Sequence, residues 1–365
     1  MTAHKIKSLQ ALRAFAVIFV IFIHSFSNNS GLLYNFYYLR QWGAIGVDLF
    51  FVISGFIMTV NLSTKEKHTN PHIFMLKRAI RILPMYWIVS FFIILVSLKN
   101  KTLITPVFIK SILLFPFFDR KEIIFAVIPQ AWTLSYELFF YILIYFTLLL
   151  NIKRPLLIVF VGLTVASIVG GFITSELSIF RLFTSALLLE FAFGIIAATI
   201  YLKCKKEDKI SVLKPTSVCL LFIGILTILY TVFVNCGDIY LAENVTSNNI
   251  IALKRVIIWG IPCAIFVLGV VLSEYEFKYK TPGFLIEIGD ASYSCYLVHY
   301  FIVQRINTHF RVYISYAPDL SLIMIILIIL FLSLFVYKYI EKRITDILRL
   351  KLQNSYNLSS VIANE

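Results

Sequence analysis

Ten stretches of this chain are each long and apolar enough to cross a lipid bilayer, with little polar sequence between them. They run Leu9–Phe26, Gly43–Leu62, Ile82–Leu98, Ala131–Leu150, Pro155–Ile173, Phe180–Leu202, Leu213–Val234, Ile250–Leu272, Phe284–Ile306 and Leu320–Ile340. A spanning helix needs about 20 mostly apolar residues. The backbone must satisfy its own hydrogen bonds in lipid, which leaves helices as the form for runs of this length. The expected fold class is an all-α integral membrane protein of about ten transmembrane helices, with both termini cytoplasmic. Of the 365 residues, 60% are hydrophobic and only 14% charged, against about 25% charged in soluble domains. That leaves no room for a sizeable soluble domain. Residues 1–350 are expected to form one membrane domain, and 351–365 a polar, frayed cytoplasmic tail. An eleventh stretch, Leu103–Phe118, is broken by Pro106 and Pro116 and is expected to be re-entrant or interfacial. Were it a span, every later orientation would flip.

Net charge is +14. With the N-terminus inside, Lys5, Lys7, Lys77, Arg78, Arg81, Lys153, Arg154, Lys203, Lys205, Lys206, Lys209, Lys342, Arg343, Arg349 and Lys351 all face the cytoplasm, as the positive-inside rule requires. The exception is the outer loop Lys99–Gln130, with five cations. The charge is therefore assigned to anionic lipid. Nucleic acid is not an expected partner, because no basic patch is interleaved with aromatics outside a span. The five cysteines form no CxxC pair and no metal-type spacing with histidine. They read as small apolar span residues, with neither a disulfide nor a metal expected. Lys5 and Lys7 before an apolar run imitate a signal peptide, but Arg13 sits too deep for one and more spans follow, so the first helix is expected to stay uncleaved.

Ionisable side chains inside a bilayer are costly and mark functional sites. The first span carries Arg13 and His24, eleven positions apart. At 100° per residue they share a face, about 16 Å apart along the axis. Asp48 in the second span and Glu137 in the fourth fall toward the same outer end as His24. These three are the catalytic candidates, with either carboxylate available to orient the imidazole. The plain alternative for each carboxylate is a helix N-terminus. On the inner side Arg78 and Arg81 are three apart, hence neighbours on a helix, and guanidinium forks suit phosphate; the plain alternative is a positive-inside anchor. The ninth span holds Asp290, Ser292, Tyr293, Ser294, Tyr296 and His299, too polar a set to face acyl chains. His299 reads equally well as a ligand contact or as a hydrogen-bonded structural histidine.

These segments resemble a known family, the bacterial membrane acyltransferase family 3, whose members O-acetylate surface polysaccharides. Arg13 and His24 are similar to its first-helix pattern of Arg, ten residues, His. Gly46 to Phe56 (GVDLFFVISGF), Arg78-Ala79-Ile80-Arg81 with Leu83-Pro84 and Tyr86-Trp87, Trp132-Thr133-Leu134-Ser135-Tyr136-Glu137, and Ser292-Tyr293-Ser294-Cys295-Tyr296-Leu297-Val298-His299 resemble four further blocks in family order. The stretch from about Leu156 to Leu272 adds only hydropathy.

The resemblance implies cytoplasmic acetyl-CoA as acyl donor and a sugar hydroxyl, on a polysaccharide or a lipid-linked glycan, as acceptor. It implies a bacterial inner-membrane location. Arg13, Arg78 and Arg81 would bind the donor. His24 would act as general base or transient acyl carrier. Ser54, Tyr86, Trp132, Ser135, Tyr293, Ser294 and His299 would line the channel or hold the acceptor. No fused extracellular hydrolase-like domain, present in some family members, is found here, which favours direct transfer or a separate partner. A succinyl or other short acyl group is an alternative cargo. A transporter is the rival from another class, since intramembrane Arg, His, Asp and Glu also mark transport pathways; no inverted repeat supports it. Oligomeric state is not legible.

Overall fold

The computed structural model describes residues 6–25, 41–63, 69–97, 114, 118–119, 122–123, 127–173, 178–207, 210–233 and 237–362. Apart from a two-residue antiparallel ladder, β1 (Phe118–Asp119) and β2 (Glu122–Ile123), the described regular structure is helical. In chain order come α1 (Lys7–Ser25), α2 (Ile45–Ser63), α3 (Pro71–Ser97), α4 (Trp132–Leu149), α5 (Pro155–Phe172), α6 (Ser178–Phe183), α7 (Leu188–Glu207), α8 (Ile210–Phe233), α9 (Ala242–Ser247), α10 (Asn249–Arg255), α11 (Ile261–Phe277), α12 (Gly283–Asp290), α13 (Ser292–His309), α14 (Arg311–Tyr316), α15 (Pro318–Val336) and α16 (Lys342–Ile362). One π-turn, Val256–Gly260, joins α10 to α11, and another, Tyr337–Glu341, joins α15 to α16.

Helix ends follow local chemistry. α3, α5 and α15 begin on Pro71, Pro155 and Pro318, where a missing N–H costs nothing. Asn248 caps α10 by accepting from the backbone N–H groups of Ile250 and Ile251. Lys278, at φ 48°, ends α11 in the left-handed region. The start of α1 is capped from another helix: the Glu274 carboxylate accepts from the N–H groups of Lys7 and Ser8, each at 3.0 Å, and from Ser8 Oγ at 2.6 Å.

Among the described residues, eight helical segments are long and apolar enough to cross a membrane. Two expected spans fall outside that set. The seventh is helical as α8, with its apolar part at Pro215–Thr231. The ninth is split at Ala291 into α12 and the polar α13. At the boundary expected for the tail, α16 runs on through Lys351 to Ile362, so the chain stays helical past it. Leu103–Phe118 lies almost wholly outside the described residues.

α1, α2, α7 and α11 form the inner layer, and α3, α5 and α15 the outer one. Outer-layer side chains such as Phe91, Phe172 and Phe331 are broadly exposed; a helix apolar all round is stable with that face in lipid. Small residues set the inner spacing. Gly46 of α2 lies against α1 so closely that a Cβ there would be 2.2 Å from the Ala16 carbonyl oxygen. Gly55 of α2 and Gly194 of α7 oppose each other, and a Cβ on either would be 2.2 Å from a carbonyl oxygen of the other helix. Close backbone approach through small residues is how helices associate in lipid, where burial of apolar surface gives no drive.

Candidate functional site

A chamber of about 730 Å³, partly open to solvent, lies among α1, α2, α3, α4 and α13. Arg13 and Arg81 supply its cations and Glu137 its carboxylate, with Ser54, Thr133, Tyr141, Ser292, Tyr293 and Tyr296 adding hydroxyls. Arg13 is 8% exposed and its Nη1 donates to Gln10 Oε1 at 3.3 Å. Glu137 accepts from Ser54 Oγ at 3.2 Å and from the Tyr141 hydroxyl. Arg78 stands beside the chamber, its guanidinium 5.7 Å from the Phe74 ring centre and 5.6 Å from that of Tyr141. Its Nε has no hydrogen-bond partner among the described residues. Two guanidinium groups in a mostly apolar wall suit the phosphates of an extended anionic donor.

His24 lies off this chamber and meets His299 of α13, with Nδ1 of the first 3.3 Å from Nε2 of the second. Their tautomers follow from their other partners. A carbonyl oxygen only accepts. His24 Nδ1, 2.8 Å from the Val20 carbonyl, therefore carries a proton, as does His299 Nδ1, 3.1 Å from the Cys295 carbonyl. His299 Nε2 then accepts a share of the His24 Nδ1 proton, and the lone pair of His24 is left on Nε2. Tyr300 packs edge-on against His24, centres 5.6 Å apart at 88°.

Asp48 is not brought to His24. Both its oxygens are bound by Arg255, from Nε at 2.9 Å and Nη2 at 2.8 Å, and Nη2 also donates to the Ala44 carbonyl. Glu190 is buried beside the pair. This corrects the expected common level of His24, Asp48 and Glu137. The expectation took residues near the outer ends of their spans to lie at one depth. The α1–α2 contact puts Gly46 at Ala16, eight residues and so about 12 Å from His24, and Asp48 lies further on still. Glu137 shares the chamber with Arg13, and so takes the depth of the other end of α1.

Of the remaining expected residues, Ser54 and Tyr293 line the chamber, and Tyr293 donates to the Ile82 carbonyl at 2.7 Å. His299 meets His24. Four others pack away from it. Tyr86 is fully buried in the core. Trp132 sits edge-on to Tyr136. Ser135 donates to the Leu114 carbonyl at 2.9 Å. Ser294 donates to Glu341 at 2.5 Å. Arg255, Glu190 and Glu341 were missed. Arg255 had a signal: a cation next to Lys254 inside an apolar stretch demands a counter-ion.

A second cavity, about 620 Å³, lies between the end of α3, residues 127–130 and α13, and Tyr300 is on its wall. Thr133 and Tyr296 on the chamber wall are tied to Gln130 on the wall of this cavity. The Tyr296 hydroxyl donates to the main-chain carbonyl of Gln130 at 2.6 Å, so the Thr133 hydroxyl, also 2.6 Å from it, donates to Tyr296. Gln130 Nε2 donates to the carbonyls of Tyr296 and Leu297 at 3.2 and 3.4 Å.

The sequence matches the family described as an acyltransferase domain over residues 6–338. It is similar to the exopolysaccharide production protein ExoZ of Rhizobium meliloti (strain 1021), 28% identical over 277 residues that cover 72% of this chain and 77% of that protein. No solved structure matches significantly.

Proposed function

The chain belongs to the membrane acyltransferase family 3, and from that premise we propose that it transfers an acetyl group from cytoplasmic acetyl-CoA to a hydroxyl of a cell-surface polysaccharide or its lipid-linked precursor, in the bacterial inner membrane. ExoZ is named for exopolysaccharide production, which supports a glycan acceptor. The observation that carries the reading is on α1. Its Arg13 end lines a cationic chamber, and its His24 end presents a base whose tautomer is set by two hydrogen bonds.

Arg13 and Arg81 hold the phosphate-bearing donor at the cytoplasmic side, with Arg78 adding positive potential at the edge. Acetyl-CoA supplies an activated thioester, whose carbonyl is the electrophile. Glu137, fixed by Ser54 and Tyr141, offsets part of the chamber's cationic charge when the donor is absent. His24 Nε2 takes the proton of the attacking hydroxyl and returns it to the departing coenzyme A thiolate as the C–S bond breaks, or first receives the acyl group itself with release of coenzyme A; both uses need the lone pair on that nitrogen. His299 and the Val20 carbonyl keep the lone pair there. The test is purified full-length protein with acetyl-labelled acetyl-CoA. Label must leave the thioester in a His24-dependent way. Transfer by His24→Ala at the wild-type rate overturns the reading. Label trapped on the protein in a single turnover identifies the covalent route.

A further inference from the structure

The second cavity has one unusual feature. Gln130 is 6% exposed and lies on its wall, yet its Oε1 has no hydrogen-bond partner among the described residues, while its Nε2 is bonded to two carbonyls. The carbonyl partners require the amide to point this way round, so Oε1 is a committed acceptor lacking a donor among the described residues. A buried acceptor left unpaired is costly. The apolar side chains of the lining are Ile93, Ile94, Val127, Ile128, Pro129 and Leu297; Tyr300 and Phe301 add aromatic faces, the exposed Gln304 adds a second amide, and polar atoms make up close to half of what the lining exposes.

We infer that this cavity seats the acceptor, a hydroxylated ligand with an apolar flank such as a glycoside on a lipid-like chain, and that Gln130 Oε1 holds one of its hydroxyls. The inference rests on the acyltransferase reading and gives that reaction its second substrate site. Gln130 is a positioning residue: it fixes one hydroxyl while a neighbouring hydroxyl meets His24, whose ring touches the same wall through Tyr300. The apolar lining takes the chain, and the aromatic faces take the sugar ring.

The test uses full-length protein in nanodiscs, labelled acetyl-CoA, and octyl β-glucoside and octyl β-galactoside as acceptors, with octanol as the arm that has a chain but no sugar. Gln130→Leu keeps the bulk and removes the acceptor atom. Ile93→Trp fills the cavity and leaves Gln130 in place, which covers a folding failure of the first variant. The expected result is about a tenfold or greater rise in KM for the glycosides in both variants, from the loss of one hydrogen bond to a buried group in Gln130→Leu and from steric exclusion in Ile93→Trp. The KM for acetyl-CoA stays as in wild type, and octanol is a poor acceptor in all three proteins. Four results overturn the inference: glycoside KM unchanged in both variants, an equal rise in the donor KM, octanol used as well as the glycosides, or coenzyme A released by wild type with no glycoside acetylated. Failure of wild type to release any coenzyme A is a different outcome and sinks the acyltransferase reading itself.

Discussion

Arg255 and Asp48, 207 residues apart, form a two-pronged ion pair in which the side chains are 1% and 0% exposed. The pair ties the start of α2 to the end of α10, just before the π-turn. Removing one member strands the other's charge in a low-dielectric interior, a loss of about 3–5 kcal/mol. Arg255→Ala is therefore expected to lower the amount of folded protein and its thermal stability in detergent. Asp48→Asn should behave the same way, with activity falling in step with folded protein. A well-folded Asp48→Asn protein with turnover lost would return Asp48 to the catalytic group.

His24 and His299 predict a graded pair of losses. His24→Ala should cut acetyl transfer by about 10²–10⁴, the range for a lost general base, with the KM for acetyl-CoA kept. His299→Phe should cut turnover less, because the Val20 carbonyl still holds His24 Nδ1. Initial rates on equal amounts of folded protein decide it. A larger loss for His299→Phe would move the reacting lone pair to the other ring.

The arginines separate by position. Arg81 lines the chamber, while Arg78 lies over the Phe74 and Tyr141 rings. Arg81→Ala and Arg13→Ala should each raise the donor KM by about tenfold or more, the loss of a charge-assisted hydrogen bond of about 1.5–3 kcal/mol. Arg78→Ala should have the smaller effect on KM. Equal effects of all three, or effects confined to turnover, would contradict a chamber that binds the donor.

Gly55 offers a test of packing without chemistry. An added methyl would meet the Phe191 carbonyl oxygen at 2.2 Å, and overpacking of this kind costs about 1–3 kcal/mol. Gly55→Ala should lower the melting temperature while leaving both substrate KM values as they are in the surviving fold. Gly194→Ala, across the same contact, should combine with it non-additively, as neighbours do.

The spans were legible because length and apolarity are local properties. Arg13, Arg81, Ser54, Glu137 and Tyr293 could be picked out singly, since polar groups are conspicuous in apolar sequence. Their grouping could not, because it depends on how far one helix slides along another. Gly46 against Ala16 sets that slide, and no run of sequence announces which carbonyl a glycine will meet. The contact of His24 with His299 and that of Asp48 with Arg255 each join residues more than two hundred positions apart. Gln130 was invisible for a different reason. An unbonded amide oxygen is a property of its surroundings, and glutamine at a helix start is unremarkable by itself.

The partition made by Thr133, Tyr296 and Gln130 has an electrical consequence. Two neighbouring hollows in a membrane protein, one of them lined by guanidinium groups, would come close to being an anion pore if they joined. Thr133, Tyr296 and Gln130, whose side chains bond to one another or to one another's main chain, close the way between them, and the acyl-bearing arm must part them to reach His24, so the protein should insulate between transfers. Wild type in a planar bilayer is expected to carry no current, and Tyr296→Ala is the substitution expected to make it leak. A cell living on its ion gradient can then carry this enzyme without draining it.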